Sequence, residues 1–487
     1  MTLELEDIQG LLVRGYGNLK AACYLLLAIN DPVATRAWLN SIALHLTGGT
    51  TKPESEALNL ALTASGLARL GLDDTILSQF AAEFTAGMAD PVRSRVLGDI
   101  GESSPANWQW GGPATQPVDL LLLLFASDAV TLEAAYQRYA QDFATGGLIE
   151  IKKLDTGELS EREHFGFRDG ISQPVIEGLP LSESPMNIIK PGEFILGYPN
   201  EYNLYTERPL LPSSADPQKV LPNAPEDKKQ VDLGRNGTYL VFRQLSQDVS
   251  GFWRFMDRAT RRPDGSADMA ARVKLAARMV GRWPGGAPLL KSPDRDDPAL
   301  SEENNFSYYN EDARGHKCPI GAHIRRSHPR DSLDPQPGTD KSIEIDKRHR
   351  ILRRGRSYGA PLPVQEWIAA DGPVDAPDDA MERGLHFLAL CGNISRQFEF
   401  IQHTWVNNPR FDGLYDDADP LLGTRGPDGG IFTIQGSPVR QRVKGIPPFV
   451  TVRGGAYFFL PGLKAVRYLA SLTPGTIPAT VNEAATA

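Results

Sequence analysis

The sequence has few cysteines, no long apolar run and no excess of positive charge, and each of these absences excludes a class of protein. Three cysteines in 487 residues, none in a Cys-x-x-Cys pair, cannot supply the disulfide framework of a small secreted protein. The longest apolar runs, at residues 21–29 and 120–126, are much too short to span a bilayer. A formal net charge of −9 argues against nucleic acid or an anionic membrane as the main partner.

The N-terminus also lacks the features of a secretory signal. It begins Met-Thr-Leu-Glu-Leu-Glu-Asp, which is acidic where a signal peptide would be basic. Together with the scarcity of cysteine, this predicts a reducing compartment and a cytoplasmic location. The sequence contains no phosphate-binding loop, dinucleotide fingerprint or Ser-His-Asp signature, so those enzyme classes have no support.

Strand and helix patterns alternate along the first part of the chain. Asp31, followed by proline, predicts the N-cap of a helix that runs to residue 46. The apolar run at residues 118–126 predicts a strand buried on both faces, and residues 131–143 predict the helix after it. Residues 8–16 predict a further strand. This order indicates an α+β fold rather than a helical bundle.

A second block with a similar pattern follows a long polar stretch. Residues 199–235 are rich in Pro, Ser, Asn, Asp and Lys, which predicts an exposed connection. Residues 237–243 predict a strand and residues 247–260 a helix, as at the start of the chain, so we expect two related halves. Near the end, residues 449–460 contain a Gly-Gly pair and predict two strands joined by a turn.

These patterns suggest domain boundaries. The N-terminal half is expected at residues 1–215, a linker at residues 216–235 and the C-terminal half at residues 236–475. The Ala- and Thr-rich tail, residues 476–487, is expected to be disordered.

One histidine lies in a distinctive segment, Cys318-Pro-Ile-Gly-Ala-His-Ile-Arg-Arg-Ser-His-Pro-Arg330. A single imidazole in an irregular segment suits an axial iron ligand, and nearby arginines suit the carboxylates of a porphyrin. A lone histidine is nevertheless more often an ordinary core or surface residue. A zinc site at His316, Cys318, His323 and His328 competes with the haem interpretation, although their spacing fits no usual zinc pattern.

An acid, Asp169, stands in the glycine-bracketed turn Gly166-Phe-Arg-Asp-Gly170. Asp-Gly is a very common turn pair, and most such pairs have no chemical role. The functional interpretation is a general acid–base group. A single carboxylate that reaches two oxygens can take a proton from one and give it to the other.

Together these segments resemble the dye-decolorizing peroxidases, a haem family distinct from plant-type peroxidases, and the match runs over most of the chain. Residues 305–326 are similar to the family's haem-ligand segment almost throughout, and the Gly-x-x-Asp-Gly pattern is intact. His328 stands where asparagine is expected. The resemblance implies an α+β fold of two ferredoxin-like halves, the dimeric α/β-barrel type, with antiparallel β-sheets facing each other and peripheral helices outside. The acid turn would lie in the first half and the haem mostly in the second.

The resemblance also implies roles for individual residues. One haem b per chain is expected, with His323 as the axial iron ligand and Arg326 near a propionate. Asp169 and Arg353 are the expected catalytic pair on the opposite face. Neighbouring side chains of a strand point to opposite faces, so only one of Arg353 and Arg354 can face the pocket, and the family's arginine falls at Arg353. Arg356 and the serine after it stand where the family usually has an apolar residue and proline.

Two further assignments concern acids and aromatic residues. Glu399 is expected to pair with the axial imidazole and to enrich its electron density, and the alternative is an exposed helix glutamate. Tyr308, Tyr309, Trp405 and Tyr457 are candidates for electron transfer to the surface, although most aromatic residues belong to the core.

The resulting expectation is a haem peroxidase that uses hydrogen peroxide to oxidise dyes, phenols and similar one-electron donors. Its partners would be peroxide and small aromatic reductants, without nucleic acid or membrane, and a homo-oligomer is left open. The alternative is a haem carrier or iron-handling protein on the same fold. Both hypotheses require His323, but only a peroxidase requires Asp169 and Arg353 together above the iron.

Overall fold

Antiparallel strands form the centre of the fold. The computed structural model describes residues 2–179, 185–374, 376 and 381–472. The four long strands of the first half are β1 (Ala21–Ile29), β2 (Glu56–Leu62), β3 (Leu120–Ala126) and β4 (Leu148–Asp155). They pair in the spatial order β4-β1-β3-β2, and every pairing is antiparallel.

Helices connect these strands in the manner of a ferredoxin-like unit. Helix α1 (Pro32–Ile42) follows β1, and helix α2 (Ala129–Ala140) follows β3. The helix α1 begins where the sequence predicts, because the Asp31 carboxylate accepts hydrogen bonds from the backbone amides of Val33 and Ala34. Two strand–helix–strand units in this strand order make the first half ferredoxin-like.

The second half repeats the same topology. Its strands are β5 (Thr238–Gln247), β6 (Leu352–Arg353), β7 (Arg356–Tyr358), β8 (Gly384–Cys391) and β9 (Val450–Leu460). The order is β6-β8-β5-β9, with β7 also paired to β8. When β5, β6, β8 and β9 are numbered one to four, their spatial order is two-three-one-four. The strands of the first half lie in the order four-one-three-two, which is the same order from the opposite edge of the sheet. Helix α3 (Val249–Ala259) follows β5, as α1 follows β1.

The two halves meet in a shared core. One residue pair, Phe459 with Leu62, joins β9 to β2, so the strands of both halves form one nine-stranded sheet. Between the facing sheets, the rings of Tyr24 and Phe242 lie 5.6 Å apart in an edge-on arrangement, and both side chains are fully buried. The fold is therefore α+β, with two ferredoxin-like halves whose inner faces cover each other and helices outside.

Shorter elements connect and cover these strands. The other α-helices are α4 (Met269–Val280), α5 (His323–Ser327), α6 (Leu463–Ser471), and Gly10–Val13, Ala64–Leu70, Asp74–Leu77, Ala82–Ala86, Pro91–Leu97, Tyr308–Asp312, Asp340–Lys347 and Val364–Ala369. Two π-helical stretches follow β8, at Ser395–Glu399 and Ile401–Val406. The remaining strands pair in twos, namely Val175–Ile176 with Ile188–Ile189, Leu210–Pro212 with Gln230–Asp232, and Gly430–Ile434 with Gln441–Ile446.

Two predicted elements are wrong. Residues 8–16 hold a short helix, Gly10–Val13, rather than a strand, because the Gln9 side chain bonds to the backbone of Leu60 in β2 and to the carbonyl of Pro461, directly after β9, which fixes the segment against the sheet. Residues 450–460 form one continuous strand instead of two strands with a turn. Gly454 lies at a register shift of that strand, and a Cβ there would come within 2.4 Å of the Trp110 indole nitrogen.

The polar stretch at residues 199–235 is more structured than expected. It contains the paired strands Leu210–Pro212 and Gln230–Asp232. Arg208 is buried and bonds to the equally buried Asp232 over 2.6 Å, so part of this connection belongs to the interior. The tail at residues 476–487, expected to be disordered, lies outside the described residues. Among the residues that are described, no helix has both the length and the apolar character required to cross a membrane.

The shared core predicts a large effect of truncating Phe242. This ring contacts Tyr24, His386 and Trp110, so Phe242→Ala removes contacts on both sheets and should cost about 3–5 kcal/mol of unfolding free energy. Val130→Ala, at a residue that is 82% exposed, should change it by less than about 0.5 kcal/mol. Urea unfolding of both variants, followed by circular dichroism, measures the difference. Equal midpoints for the two variants would contradict a core shared by the halves.

Candidate active site

A large cavity lies beside the second sheet, where the two halves meet. Its interior volume is about 280 Å³. The walls are mainly apolar and include Leu245, Val280, Phe387, Phe398, Leu421 and Val450. The polar groups that reach it include His323, Asp169 and Arg353. A concave apolar site with a few converging polar groups is the usual form of a cofactor site.

His323 is the first residue of helix α5, directly after the Gly-Ala pair of the sequence motif. Its Nδ1 lies 2.9 Å from Oδ2 of Asp419, whose side chain is fully buried. Asp419 is itself held by the backbone amides of Leu421 and Leu422, each 2.9 Å away. The ring makes no other hydrogen bond to a described residue, so its Nε2 is left for the cavity.

Charge balance supports this pair. Burial disfavours a charged imidazole, but the negative charge of Asp419, the hydrogen bond to it and the charge of Asp169 together outweigh burial and raise the pKa of His323. Burial likewise opposes ionisation of Asp419, yet His323, the amide of Leu422 and the charge of Arg326 lower the pKa of this carboxyl. Asp419 is therefore an ionised acceptor that fixes the proton on Nδ1 and the orientation of the ring.

The expectation that Glu399 pairs with His323 is wrong. Oε1 of Glu399 accepts a hydrogen bond from the Tyr457 hydroxyl over 2.8 Å, and Oε2 binds Arg93 over 2.8 Å. Glu399 is buried, so the exposed-glutamate alternative is also wrong. The acid is Asp419, in the run Asp416-Asp-Ala-Asp419-Pro. The only local signal was the Asp-Pro pair that begins a turn, and it does not single out this aspartate among its neighbours.

The expected contact of Arg326 with a propionate is not supported either. Its guanidinium is fully buried and donates to the carbonyl oxygens of Gly321, Trp405, Asn408 and Asp417. It does not line the cavity. Arg326 instead ties helix α5 to the chain segment that carries Asp419.

Asp169 and Arg353 form an ion pair at the cavity. Nη1 of Arg353 donates to Oδ1 of Asp169 over 2.9 Å, and the backbone amide of Gly170 donates to the same oxygen over 2.6 Å. Arg353 is also anchored through its backbone amide, which donates to the Gln173 side chain. The adjacent Arg354 points away and donates to the carbonyl oxygens of residues 11 and 12. Residues 169, 323 and 353 thus reach one cavity.

The pair keeps Asp169 ionised. The aspartate side chain is 44% accessible, and it borders the cavity. Burial by the surrounding walls raises its pKa, but the charge of Arg353 and the hydrogen bonds from Arg353 and Gly170 lower the pKa of Asp169 below its ordinary value overall. At neutral pH the cavity therefore presents a carboxylate and a guanidinium side by side.

Two further basic residues, to which the sequence analysis assigned no role, border the cavity. Arg330 and Arg350 both reach it, and Nη1 of Arg350 donates to Nε2 of His328 over 2.8 Å. Burial, together with Arg350, lowers the pKa of His328 to about 3, so this ring is neutral. Arg330 is the last residue of the segment that carries His323. Arg356, at the position of the family departure, packs its guanidinium against Phe125 in the inter-sheet core rather than at the cavity.

These residues fit an iron porphyrin. The apolar walls suit a flat aromatic macrocycle, the free Nε2 of His323 suits an axial ligand, and Arg330 and Arg350 suit its carboxylates. The zinc alternative does not fit. Within the described part of the chain, no three or more His, Cys, Asp and Glu side chains come close enough to hold a metal ion.

Known proteins are similar over nearly the whole chain. The dye-decolorizing peroxidase msp1 of Mycetinis scorodonius is 31% identical over 96% of this chain and 88% of its own length. The dye-decolorizing peroxidase AauDyP1 of Auricularia auricula-judae is 30% identical over 96% and 86%. A crystal structure of a fungal DyP-type peroxidase from Auricularia auricula-judae has a TM-score of 0.76 at 28% identity, over 97% of this chain and 100% of that one. No family model matches the chain.

The fold and the cavity thus define a haem peroxidase. The chain belongs to the dye-decolorizing peroxidases, as its identity to curated members over 96% of its length shows. It is an oxidoreductase that uses hydrogen peroxide to oxidise reducing substrates, and the haem-carrier alternative is not favoured.

The ion pair predicts how activity depends on pH. Because Arg353 lowers the pKa of Asp169, the carboxylate persists to acid pH, and the rate of reaction with peroxide should fall only below the ordinary aspartate value. Arg353→Gln removes the charge, so the pH below which the rate falls, the acid limb of the profile, should rise by about one pH unit or more. Stopped-flow pH profiles measure the limb. The exposed Arg95→Gln serves as control, and an unmoved limb in the Arg353 variant would rule out this coupling.

Proposed function

We propose that Asp169 and Arg353 are the catalytic residues of this peroxidase, and that His323 holds one haem b per chain through its iron. The observation that carries the proposal is the Asp169–Arg353 ion pair at 2.9 Å in the same cavity as an imidazole whose Nδ1 is bound to Asp419. An imidazole alone would suit any haem protein. The charged pair is what peroxide chemistry needs in addition.

The residues around His323 prepare it for a metal. When bound, haem supplies an iron that peroxide oxidises by two electrons and that reductants restore by single electrons. Asp419 keeps the proton on Nδ1, which leaves the Nε2 lone pair for iron and makes the ring a stronger donor. Arg330 and Arg350 would face the haem carboxylates, in the role that the sequence had given to Arg326.

Asp169 moves the proton of peroxide. Its carboxylate accepts the proton from one peroxide oxygen and returns it to the departing oxygen, which leaves as water. The low pKa of Asp169 means that the group is in the accepting form before peroxide arrives and gives the proton up readily afterwards. Arg353 remains charged at any working pH, holds the carboxylate in place and stabilises negative charge while the O–O bond breaks.

The reducing substrates are proposed from the relatives. Curated relatives are named dye-decolorizing peroxidases, so dyes, phenols and similar small aromatic donors are the proposed reductants. A cytoplasmic location is proposed because the three cysteines are all free and buried. Halves at residues 1–215 and 236–475, joined by a linker at residues 216–235, remain the proposed domain division.

Two substitutions test the assignment of the two faces. Asp169→Asn keeps the shape of the side chain but cannot accept the proton, so it should bind haem normally and react with peroxide about 10²–10⁴-fold more slowly. His323→Ala should lose or loosen haem. The haem absorption of the purified variants and stopped-flow mixing with peroxide measure the two effects. A wild-type rate in the asparagine variant would remove Asp169 from the mechanism.

Substitutions of Asp419 and Glu399 form a matched pair that tests which acid supports the imidazole of His323. Asp419→Asn removes the negative charge beside the His323 imidazole that would hold the iron, so it should raise the reduction potential of bound haem and weaken haem retention about 10–100-fold. Glu399→Gln, at a buried acid bound to Tyr457 and Arg93 instead, should leave the potential unchanged. Spectroelectrochemical titration of both variants decides between the two acids. A shift in the Glu399 variant alone would restore the original assignment.

A further inference from the structure

Glu163 is a second acid in the cavity wall, six residues before Asp169. Its carboxylate closes a tight loop. Oε2 accepts from the backbone amide of Phe165 over 2.8 Å, and Oε1 accepts from that of Phe167 over 3.0 Å. A third donor, Nε2 of Gln247 at the end of β5, reaches Oε2 over 2.8 Å. All three donors are neutral.

This loop is the part of the chain that presents Asp169. The backbone amide of Glu163 donates to the carbonyl of Phe167, and its backbone carbonyl accepts from the amide of Gly166. The main chain and the side chain of Glu163 therefore hold the same turn. Gly166 has φ of +93°, a conformation that suits glycine, and the carboxylate of Glu163 satisfies the amides on either side of it. The next residues run straight into Asp169, whose amide bonds to the carbonyl of Glu161.

The pKa of Glu163 is raised, whereas the pKa of Asp169 is lowered. Burial raises the pKa of Glu163 to about 7, the charge of Asp169 adds to this effect, and the hydrogen bonds from Phe165, Phe167 and Gln247 oppose it. Glu163 is therefore protonated below neutral pH and ionised above it. The charged and titratable groups on the same loop are Arg162, His164, Arg168 and Asp169, and Arg162 donates to the carbonyl of Gly166. Those elsewhere in the cavity wall are Arg282, His323, His328, Arg330, Arg350 and Arg353.

We propose that Glu163 is the positioning residue of Asp169. Its carboxyl group shapes the loop that carries the catalytic aspartate, and its charge sets how strongly that aspartate holds a proton. When Glu163 is ionised, repulsion between the two acids makes Asp169 a stronger base, so the rate of proton uptake from peroxide depends on pH near neutrality. The inference rests on the proposed role of Asp169.

The test uses the holoenzyme and two readouts. The rate of reaction with peroxide should show a step near pH 7 in the wild-type protein, separate from the acid limb of Asp169. In Glu163→Gln the step should be lost. The acid limb should stay where it is, because Glu163 is already neutral when Asp169 titrates. Infrared difference spectra should show a protonated carboxyl band that disappears through the same pH range in the wild type and is absent from Glu163→Gln.

Two further variants keep the test decisive. Gln247→Leu removes one donor to the carboxylate but leaves both loop amides in place, so the step should move to higher pH. Glu158→Gln, at an exposed acid five residues upstream, should keep both the step and the infrared band. A step or band that survives in Glu163→Gln, or one that does not move in Gln247→Leu, overturns the proposal. A wild-type peroxide rate in Asp169→Asn would instead overturn the role of Asp169, while the infrared band would still report on Glu163.

Discussion

The ion pair between Asp169 and Arg353 is the interaction on which the rest of the site depends. It joins a loop of the first half to a strand of the second, so the site exists only where the halves meet. A carboxylate among apolar walls is costly to keep charged, and the adjacent guanidinium offsets that cost. The chain surrounds the pair with supports of its own. Gln173 anchors Arg353, and Gly170 and the Glu163 loop hold Asp169.

The opposite wall is organised by a different principle. There the imidazole of His323 is fixed by one buried aspartate, and that aspartate is fixed in turn by backbone amides rather than by a cation. Arg326 contributes indirectly, because its buried guanidinium binds carbonyl groups of the same segment. The π-helical stretch Ile401–Val406 lies on this side, because Arg326 donates to the carbonyl of Trp405, and irregular helices of this kind often occur at functional sites.

Local signals explain which features the sequence could predict. The helix after Asp31 follows from a cap and a proline, and the buried strand at β3 from an unbroken apolar run. The segments around Asp169, His323 and Arg353 are recognisable because each motif is contiguous. The acid partner of His323 is 96 residues away, and no local pattern separates Asp419 from Glu399. The strand predicted at residues 8–16 failed for the same reason, because Gln9 is held by Leu60 and Pro461, which lie 51 and 452 residues along the chain.

The shared core also imposes an order on biosynthesis. The inner face of the first sheet is covered by β5, β8 and β9, and β9 ends at Leu460, about 300 residues after β4 is complete. At about 5–20 residues per second, a ribosome needs tens of seconds to deliver that last strand. During this interval, a leucine-rich surface of the nascent first half has no permanent cover. The chain must therefore either delay the closure of that sheet or depend on a chaperone until its own C-terminal strand emerges.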